Sequence, residues 1–437
     1  MPKPREFERR RRQLMRTMGD DAVAIVPAAL ERRRNRDIFY PYRQDSDFWY
    51  LTGFPEPEAV AVLVPRREEA EYILFCRERD PQRETWDGLR AGQAGACQEY
   101  GADDAFPIAD IEEILPGLLE GRERVYCTMG RDADFDQRLI GWVNDLRERS
   151  QKQAGQEIVA LDHVLQDMRT YKSREELRAM KRAADISVTA MRRAMQACRP
   201  GMMEYEVEAE LQHEYRRHGT RSAYPAIVGG GANACILHYI ENNARLNDGE
   251  LLLIDAGCEY ELYAADITRT FPVNGRFTPE QKAVYEWVLA AQEAALAEIA
   301  PGRTWNDSHA AAVRVLTEGL VDLGILQGKV DELVESGAYR RFYMHRTGHW
   351  IGLDVHDVGE YRVDGHWREL EPGMTLTVEP GLYIPARSEG VDERWWNIGV
   401  RIEDDVAVTR DGYELLTTGL PRTVEEVESE MAAARAA

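Results

Sequence analysis

Hydrophobic positions in residues 1–172 come in short runs of β-branched and aromatic side chains. AVAIVP (22–27), EAVAVLVP (58–65), EYILFC (71–76) and RVYCTMG (124–130) are each bounded by proline, glycine or charge. Runs of that length and punctuation predict strands. Between them, DIEEILPGLLEG (110–121) and DFDQRLIGWVNDLRER (134–149) show helical spacing. Strands alternating with helices predict an α/β layered domain. Ahead of it, FERRRRQLMRTMG (7–19) predicts an amphipathic helix whose arginines face solvent.

A boundary follows at 172/173. Ser173 with Glu176 has the pattern of a capping box and opens a long helix through about Ala197, which Arg199-Pro200-Gly201 stops. MMEYEVEAELQHEYRRHG (202–219) is a second helix. The pattern then switches to strands: AYPAIVGGG (223–231), CILHYI (235–240), GELLLIDAGCEY (249–260) and ELYAADITRTFPV (261–273). Helices are expected near 278–299 and 304–323, strands at MTLTVEPGLYI (374–384) and WNIGVRIEDDVAVT (396–409), and a short acidic helix at the end. This order predicts an α+β domain over 173–437 built of two halves, one holding an aspartate pair and the other a histidine/glutamate set. GGGAN (229–233) lacks the Gly-Lys-Ser/Thr that a phosphate loop needs and is expected to be a tight turn.

Composition narrows the functions. Of 437 residues, 55 are basic and 77 acidic, a net charge of −22, so nucleic acid is not expected as a partner. The one basic run, Arg9 to Arg12, is not an export signal, because Asp20, Asp21 and Pro27 interrupt what would follow it. No apolar stretch approaches the roughly 20 residues of a membrane span. The six cysteines show no CxxC spacing and sit mostly in apolar runs. They are expected to be buried thiols of a reducing, cytoplasmic setting.

The carboxylates carry the chemistry. Asp255 ends the apolar run LLLI, and Asp266 lies in the next strand, the two symmetric about Tyr260-Glu261. A hairpin with that pair at its tip would set the aspartates opposite each other on one face. Two like charges placed so cost stability, which calls for a cation between them. Glu379 closes MTLTV, and Glu403 lies in VRIEDDVAV. A carboxylate at the inner end of a buried strand must be paired, protonated or metal-bound. Arg269 and Arg401 are the nearby bases, and for either glutamate alone an ion pair serves as well as a metal. For the four acids together with a histidine, metal is the better account. Four carboxylates and a neutral imidazole such as His349 balance two divalent cations. Oxygen donors with one imidazole suit Mn²⁺, with Zn²⁺ and Co²⁺ as competitors.

MHRTGHWIGLDVHDVG (344–359) supplies three histidines: His345, His349 and His356. Arg346 after His345 rules out the HExxH pattern. Gly348 and Gly352 around His349 weaken a helix and suit an irregular segment that approaches a ligand closely.

ILHY (236–239), LIDAGCEY and ADITRTFPVNG (253–275), HRTGHWIGLDVHDVG (345–359), LTVEPGLYI (376–384) and VRIEDD (400–405) occur in one order. Together they resemble the Xaa-Pro aminopeptidases, or aminopeptidase P. YPYRQDSDFWYLTGFPEPEAV (40–60) extends the resemblance to the bacterial branch and to nearly the whole chain. The resemblance implies an N-terminal α/β domain (1–172), serving oligomerisation and control of substrate length. A pita-bread (creatinase/aminopeptidase) catalytic domain of α+β type (173–437), shared with prolidase and methionine aminopeptidase, would follow it. It also implies a cofactor of two divalent ions. Asp255 would hold one ion and His349 and Glu379 the other, with Asp266 and Glu403 bridging. His238 and His356 would contact substrate or the tetrahedral intermediate, and Tyr383 and His345 would support the site from the substrate side. Arg401 would pair with an acid of the N-terminal part, Asp37. Trp86, in ETWDG, would reach a neighbouring subunit's site, which implies a homo-oligomer, a tetramer or a dimer. Arg346-Thr347 stands where relatives carry small residues, and PARSEGVDERWWN (385–397) matches less well.

The expected activity is hydrolysis of the N-terminal Xaa-Pro bond of proline-containing peptides by a metal-bridging hydroxide. Glu379 would move the proton, and His238, His356 and Arg401 would act beside it. The nearest alternative is an Xaa-Pro dipeptidase, a prolidase, which the same ligands would serve. A binding module without chemistry and a dinuclear phosphoesterase have less support: every ligand is retained, and no phosphate cradle is visible.

Overall fold

The computed structural model describes residues 4–149 and 155–436. The chain divides into two compact units, the first ending at Met168 and the second beginning at Arg169.

In the first unit a six-stranded sheet runs in the order Asp104–Pro107, Tyr72–Cys76, Val60–Leu63, Ala22–Pro27, Arg124–Cys127, Glu157–Ala160. Ala22–Pro27 pairs antiparallel with Val60–Leu63 and parallel with Arg124–Cys127. The middle strands are buried along nearly their whole length, which explains their unbroken apolar runs. Val23, Ile25, Val62, Ile73 and Phe75 meet Leu115 and Leu139 of the helices Ile111–Leu119 and Ala133–Arg149 in one core.

The N-terminal helix Pro4–Met18 corrects one expectation. Arg9 and Arg12 are exposed, but Arg10 and Arg11 are buried. Arg10 lies over the Tyr50 ring at 4.1 Å and donates to Tyr50 O; Arg11 lies over Tyr72 at 4.0 Å and donates to Leu51 O. Stacking on aromatic faces together with backbone acceptors lets a guanidinium stay charged out of water.

The second unit opens with the helix Arg174–Ala197, and its capping box forms: Glu176 N donates to Ser173 Oγ, and Ser173 N donates to the Glu176 carboxylate. The helix Glu204–Arg217 packs on it. Ile227–Gly230, Leu251–Asp255 and Thr268–Pro272 form one antiparallel sheet. Thr375–Val378, Asp404–Thr409 and Gly412–Leu415 form another, and Gly381–Ile384 pairs with Ile398–Arg401. The helices Pro279–Ala297 and Trp305–Asp322 pack together between these in sequence. Among the described residues no helix is long and apolar enough to cross a membrane.

Three local expectations change. CILHYI is not a strand: a 3-10 turn over Gly231–Cys235 runs into a bend, and Ile236 and Ile240 are exposed. The two strands around the aspartates each break in two, at residues 256–257 and 265–267. The hairpin tip is Glu261-Leu262, both at positive φ as a tight two-residue turn requires, so Asp255 pairs with Thr268 and not with Asp266. Asp266 faces Gly257, where the strands cross so closely that a Cβ would lie 1.6 Å from Ala265 O. Both aspartates face one site, since the Tyr224 hydroxyl reaches both.

Candidate active site

Asp255 sits on the last residue of its buried strand and Asp266 in the gap before Thr268–Pro272. Glu379 follows Thr375–Val378, and Glu403 lies between Ile398–Arg401 and Asp404–Thr409. Strand ends from both halves thus deliver the four acids to one cavity of about 720 Å³. His238, His345, His349, His356 and Arg401 line it too, with a wall of Leu237, Trp305, Tyr361 and Trp367.

His349 reaches the cavity on an irregular segment. Its backbone N–H donates to Thr377 Oγ1, and Gly348 touches the neighbouring strand so closely that a Cβ would lie 2.0 Å from Thr377 O. Its Nδ1 stands 2.9 Å from Trp350 O and donates there, which leaves Nε2 facing the acids, 3.4 Å from Asp266 Oδ2 and 3.6 Å from Glu379 Oε1. Asp266, His349 and Glu403 each offer a donor atom within 4.8 Å of the others.

The bases do not neutralise this set. Arg401 donates to Asp255 Oδ2 at 2.6 Å, to the Tyr383 hydroxyl at 3.0 Å and to Thr268 Oγ1 at 3.1 Å. All three of its nitrogens are thus engaged within the second unit, and Asp37 lies in an exposed turn of the first. Arg269 serves Asp404 and the backbone of Glu403, not the Glu403 carboxylate. Glu403 is 1% exposed and receives the Thr268 hydroxyl at 2.5 Å. Among the described residues no cation lies within 4.0 Å of it. The Tyr224 hydroxyl meets Asp255 Oδ1 at 2.7 Å and also touches Asp266 Oδ1.

Burial and mutual repulsion shift these groups. Burial, then Asp266, lifts Asp255 to about 6. Burial lifts Glu379 to about 7 and Glu403 well above the carboxylate range, the latter reinforced by Asp266, Glu379 and Asp255. Burial would also raise Asp266, but the hydrogen bond and charge of His349 bring it below its ordinary value. Burial pulls His349 down, yet Asp266 and Glu379 outweigh it and lift the imidazole to about 9. Here a proton does what a cation would do. Four carboxylates with too few counter-charges among them, beside one imidazole whose Nε2 faces them, are the donor chemistry that divalent ions need.

The other expected residues fall into different places. His345 lines the cavity with both ring nitrogens engaged: its Nδ1 donates to Arg346 O, and its Nε2 accepts from the Tyr383 hydroxyl at 2.8 Å. Burial drops it to about 3, so it stays neutral. Tyr383, expected on the substrate side, is fully buried and absent from the cavity wall; its hydroxyl is spent between Arg401 and His345. His238 and His356 are exposed at the cavity, and the His356 ring is 4.4 Å from that of His349. Trp86, 85% exposed, is on the helix Pro81–Asp87 of the first unit. Tyr224, Thr268 and Thr377 were not expected. Thr268 could have been found, since it shares the face of Asp266 two residues away; Tyr224 carries no such signal.

This fold and this acid-lined cavity define a metallopeptidase. The chain belongs to metallopeptidase family M24, whose pattern spans residues 178–410, and the aminopeptidase P N-terminal domain pattern spans 7–126. Within that family it falls among the Xaa-Pro aminopeptidases, an aminopeptidase P N-terminal domain followed by a pita-bread catalytic domain. It is 47% identical to the Xaa-Pro aminopeptidase of Escherichia coli over 98% of both chains, and 44% identical to that of Haemophilus influenzae over 98% of this chain and 97% of the relative. The solved aminopeptidase PepP of Pseudomonas aeruginosa superposes with a TM-score of 0.98 at 60% identity, covering 100% of this chain and 99% of its own.

Proposed function

We propose that this hydrolase removes the first residue from peptides whose second residue is proline, with two divalent ions, Mn²⁺ by preference, held by Asp255, Asp266, His349, Glu379 and Glu403. Asp255 would hold one ion and His349 with Glu379 the other, while Asp266 and Glu403, between them, would serve as ligands of both. The observation that carries this reading is Glu403: fully buried, without a cation partner among the described residues, and beside three more acids. Support also comes from relatives: an E. coli aminopeptidase P variant is solved in complex with substrate, and that enzyme is solved with the inhibitor Pro-Leu. When bound, such ions supply a hydroxide near neutral pH and polarise the scissile carbonyl.

The chain's own groups do the rest. Glu379 takes the proton of the attacking water and returns it to the proline nitrogen. His356 and His238, at the open side, donate to the developing oxyanion or hold the proline side. Arg401 fixes Asp255, and the Arg401–Tyr383–His345 chain holds the wall behind it. Asp37 as a further partner of Arg401, Trp86 as a contact to a neighbouring subunit, a tetramer or dimer, and a cytoplasmic location belong to the same proposal. The exposure of Trp86 and Leu89, 85% and 82%, supports the subunit contact. The test is hydrolysis of an Xaa-Pro-Xaa tripeptide, an Xaa-Ala-Xaa control and an Xaa-Pro dipeptide by Mn²⁺-loaded protein. Selective release of the first residue of the tripeptide is expected. Equal cleavage of the alanine control would refute proline specificity, and cleavage of the dipeptide alone would make the protein a prolidase.

A further inference from the structure

Two guanidiniums on the cavity wall have no role in this reading. Arg346 lies over the Trp367 ring at 4.9 Å and Arg362 over the same ring at 4.1 Å, and all three line the catalytic cavity. Arg346 donates to Asn306 Oδ1, a neutral acceptor. Among the described residues neither arginine has a carboxylate within 4.0 Å, in a chain with 77 acidic side chains and a net charge of −22. Both are held near an indole, which pre-organises a guanidinium without neutralising it. With the four floor acids balanced by two divalent ions, Arg346 and Arg362 give this part of the cavity a net positive charge.

Both line the cavity that holds the acids and His349, which a peptide running past the scissile bond must occupy. Arg346 is three residues from His349, so their backbones are at most about 10 Å apart. A residue beyond the proline of a bound substrate lies one or two extended residues, roughly 3.5–7 Å, from the scissile bond. We propose that Arg346 and Arg362, carried on Trp367, form a carboxylate-binding subsite for the substrate residue after proline. It would take that residue's C-terminal carboxylate in a tripeptide or an acidic side chain there. The inference rests on the aminopeptidase reading and adds a preference to it. It is a preference in the fork geometry that arginine gives to carboxylates.

The experiment compares kcat/KM of Mn²⁺-loaded protein on Ala-Pro-Ala, Ala-Pro-Ala-amide and Ala-Pro-Asp-amide. The wild type is expected to favour the free acid over the neutral amide by roughly tenfold or more, the size of a charge-assisted hydrogen bond. The same gain on Ala-Pro-Asp-amide would show that a side-chain carboxylate serves; its absence would assign the subsite to the chain terminus. In the double variant Arg346→Ala/Arg362→Ala the acid-to-amide ratio should fall toward one, and the Arg346→Lys/Arg362→Lys variant should restore part of it. The ratio is internal to each preparation, so a loss of folded protein lowers both rates and leaves it unchanged. A wild type that cleaves all three peptides equally, or a double variant that keeps the ratio, overturns this subsite alone. A wild type that cleaves none of them overturns the aminopeptidase reading and the subsite with it.

Discussion

The Tyr224 hydroxyl has one proton and two carboxylate neighbours, Asp255 and Asp266. Its proton can satisfy only one of them, so the second contact needs a cation or a further proton nearby. Tyr224→Phe should weaken Mn²⁺ binding by about 10- to 100-fold, as loss of a partner behind metal ligands does, and isothermal titration measures this directly. The three histidines of residues 345–356 separate by what their rings face. His349→Ala should abolish metal uptake, whereas His356→Ala should retain metal and lose rate; metal analysis beside the peptide assay distinguishes them. The acids and His349 were legible in the sequence because each is a charge or an imidazole set against apolar or glycine-rich surroundings. Tyr224 was not, because a hydroxyl side chain in a turn is commonplace and its partners lie tens of residues away; Thr268 offered only its place on the face of Asp266. Nor was the burial of Tyr383: nothing local shows that its hydroxyl is spent between Arg401 and His345.

Two close backbone crossings set the site at the scale of elements. Gly257 lets the paired strands pass where Asp266 must face inward, and Gly348 lets the His349 segment lie against Thr375–Val378. Gly348→Ala would push a methyl to 2.0 Å from Thr377 O, which neither backbone can absorb without moving. A cost of about 1–3 kcal/mol is expected. It should appear as a lowered Tm together with weaker metal binding, because His349 moves with the segment. Unchanged stability and affinity would show the crossing to be dispensable. The strands and long helices were readable from period and caps, the Ser173 capping box among them. The hairpin register was not. Symmetry about Tyr260-Glu261 placed the tip one residue early, because positive φ at Glu261 and Leu262 has no glycine or asparagine to announce it. CILHYI failed for another reason: an apolar run at an exposed rim has the same letters as a buried strand.

At the scale of the whole molecule, the alternation of strands and helices, then helices and strands, showed an α/β unit followed by an α+β unit. The buried pair Arg10 and Arg11 escaped it, since a run of arginines predicts solvent unless aromatic faces are known to be waiting. One half-buried base bears on the stability of the whole chain. Burial lowers His309 to about 4, while its unfolded value is near 6.5. As pH falls below about 6.5 the unfolded chain takes up a proton that the folded one refuses, so stability is lost until pH reaches about 4. The loss for this group is up to about 3 kcal/mol. In metal-free protein His309→Gln should therefore lose less stability than the wild type between pH 7 and pH 4.5, by urea midpoints. An equal loss in both would assign the acid sensitivity elsewhere. The central claim is that four acids, three of them buried, and one imidazole hold two catalytic ions. Titrating Mn²⁺ into chelator-stripped protein, while bound metal and Xaa-Pro-Xaa hydrolysis are followed together, tests it most directly. The account predicts two ions bound per chain, with activity absent before they load and restored as they do. Full activity in protein carrying no metal would contradict it.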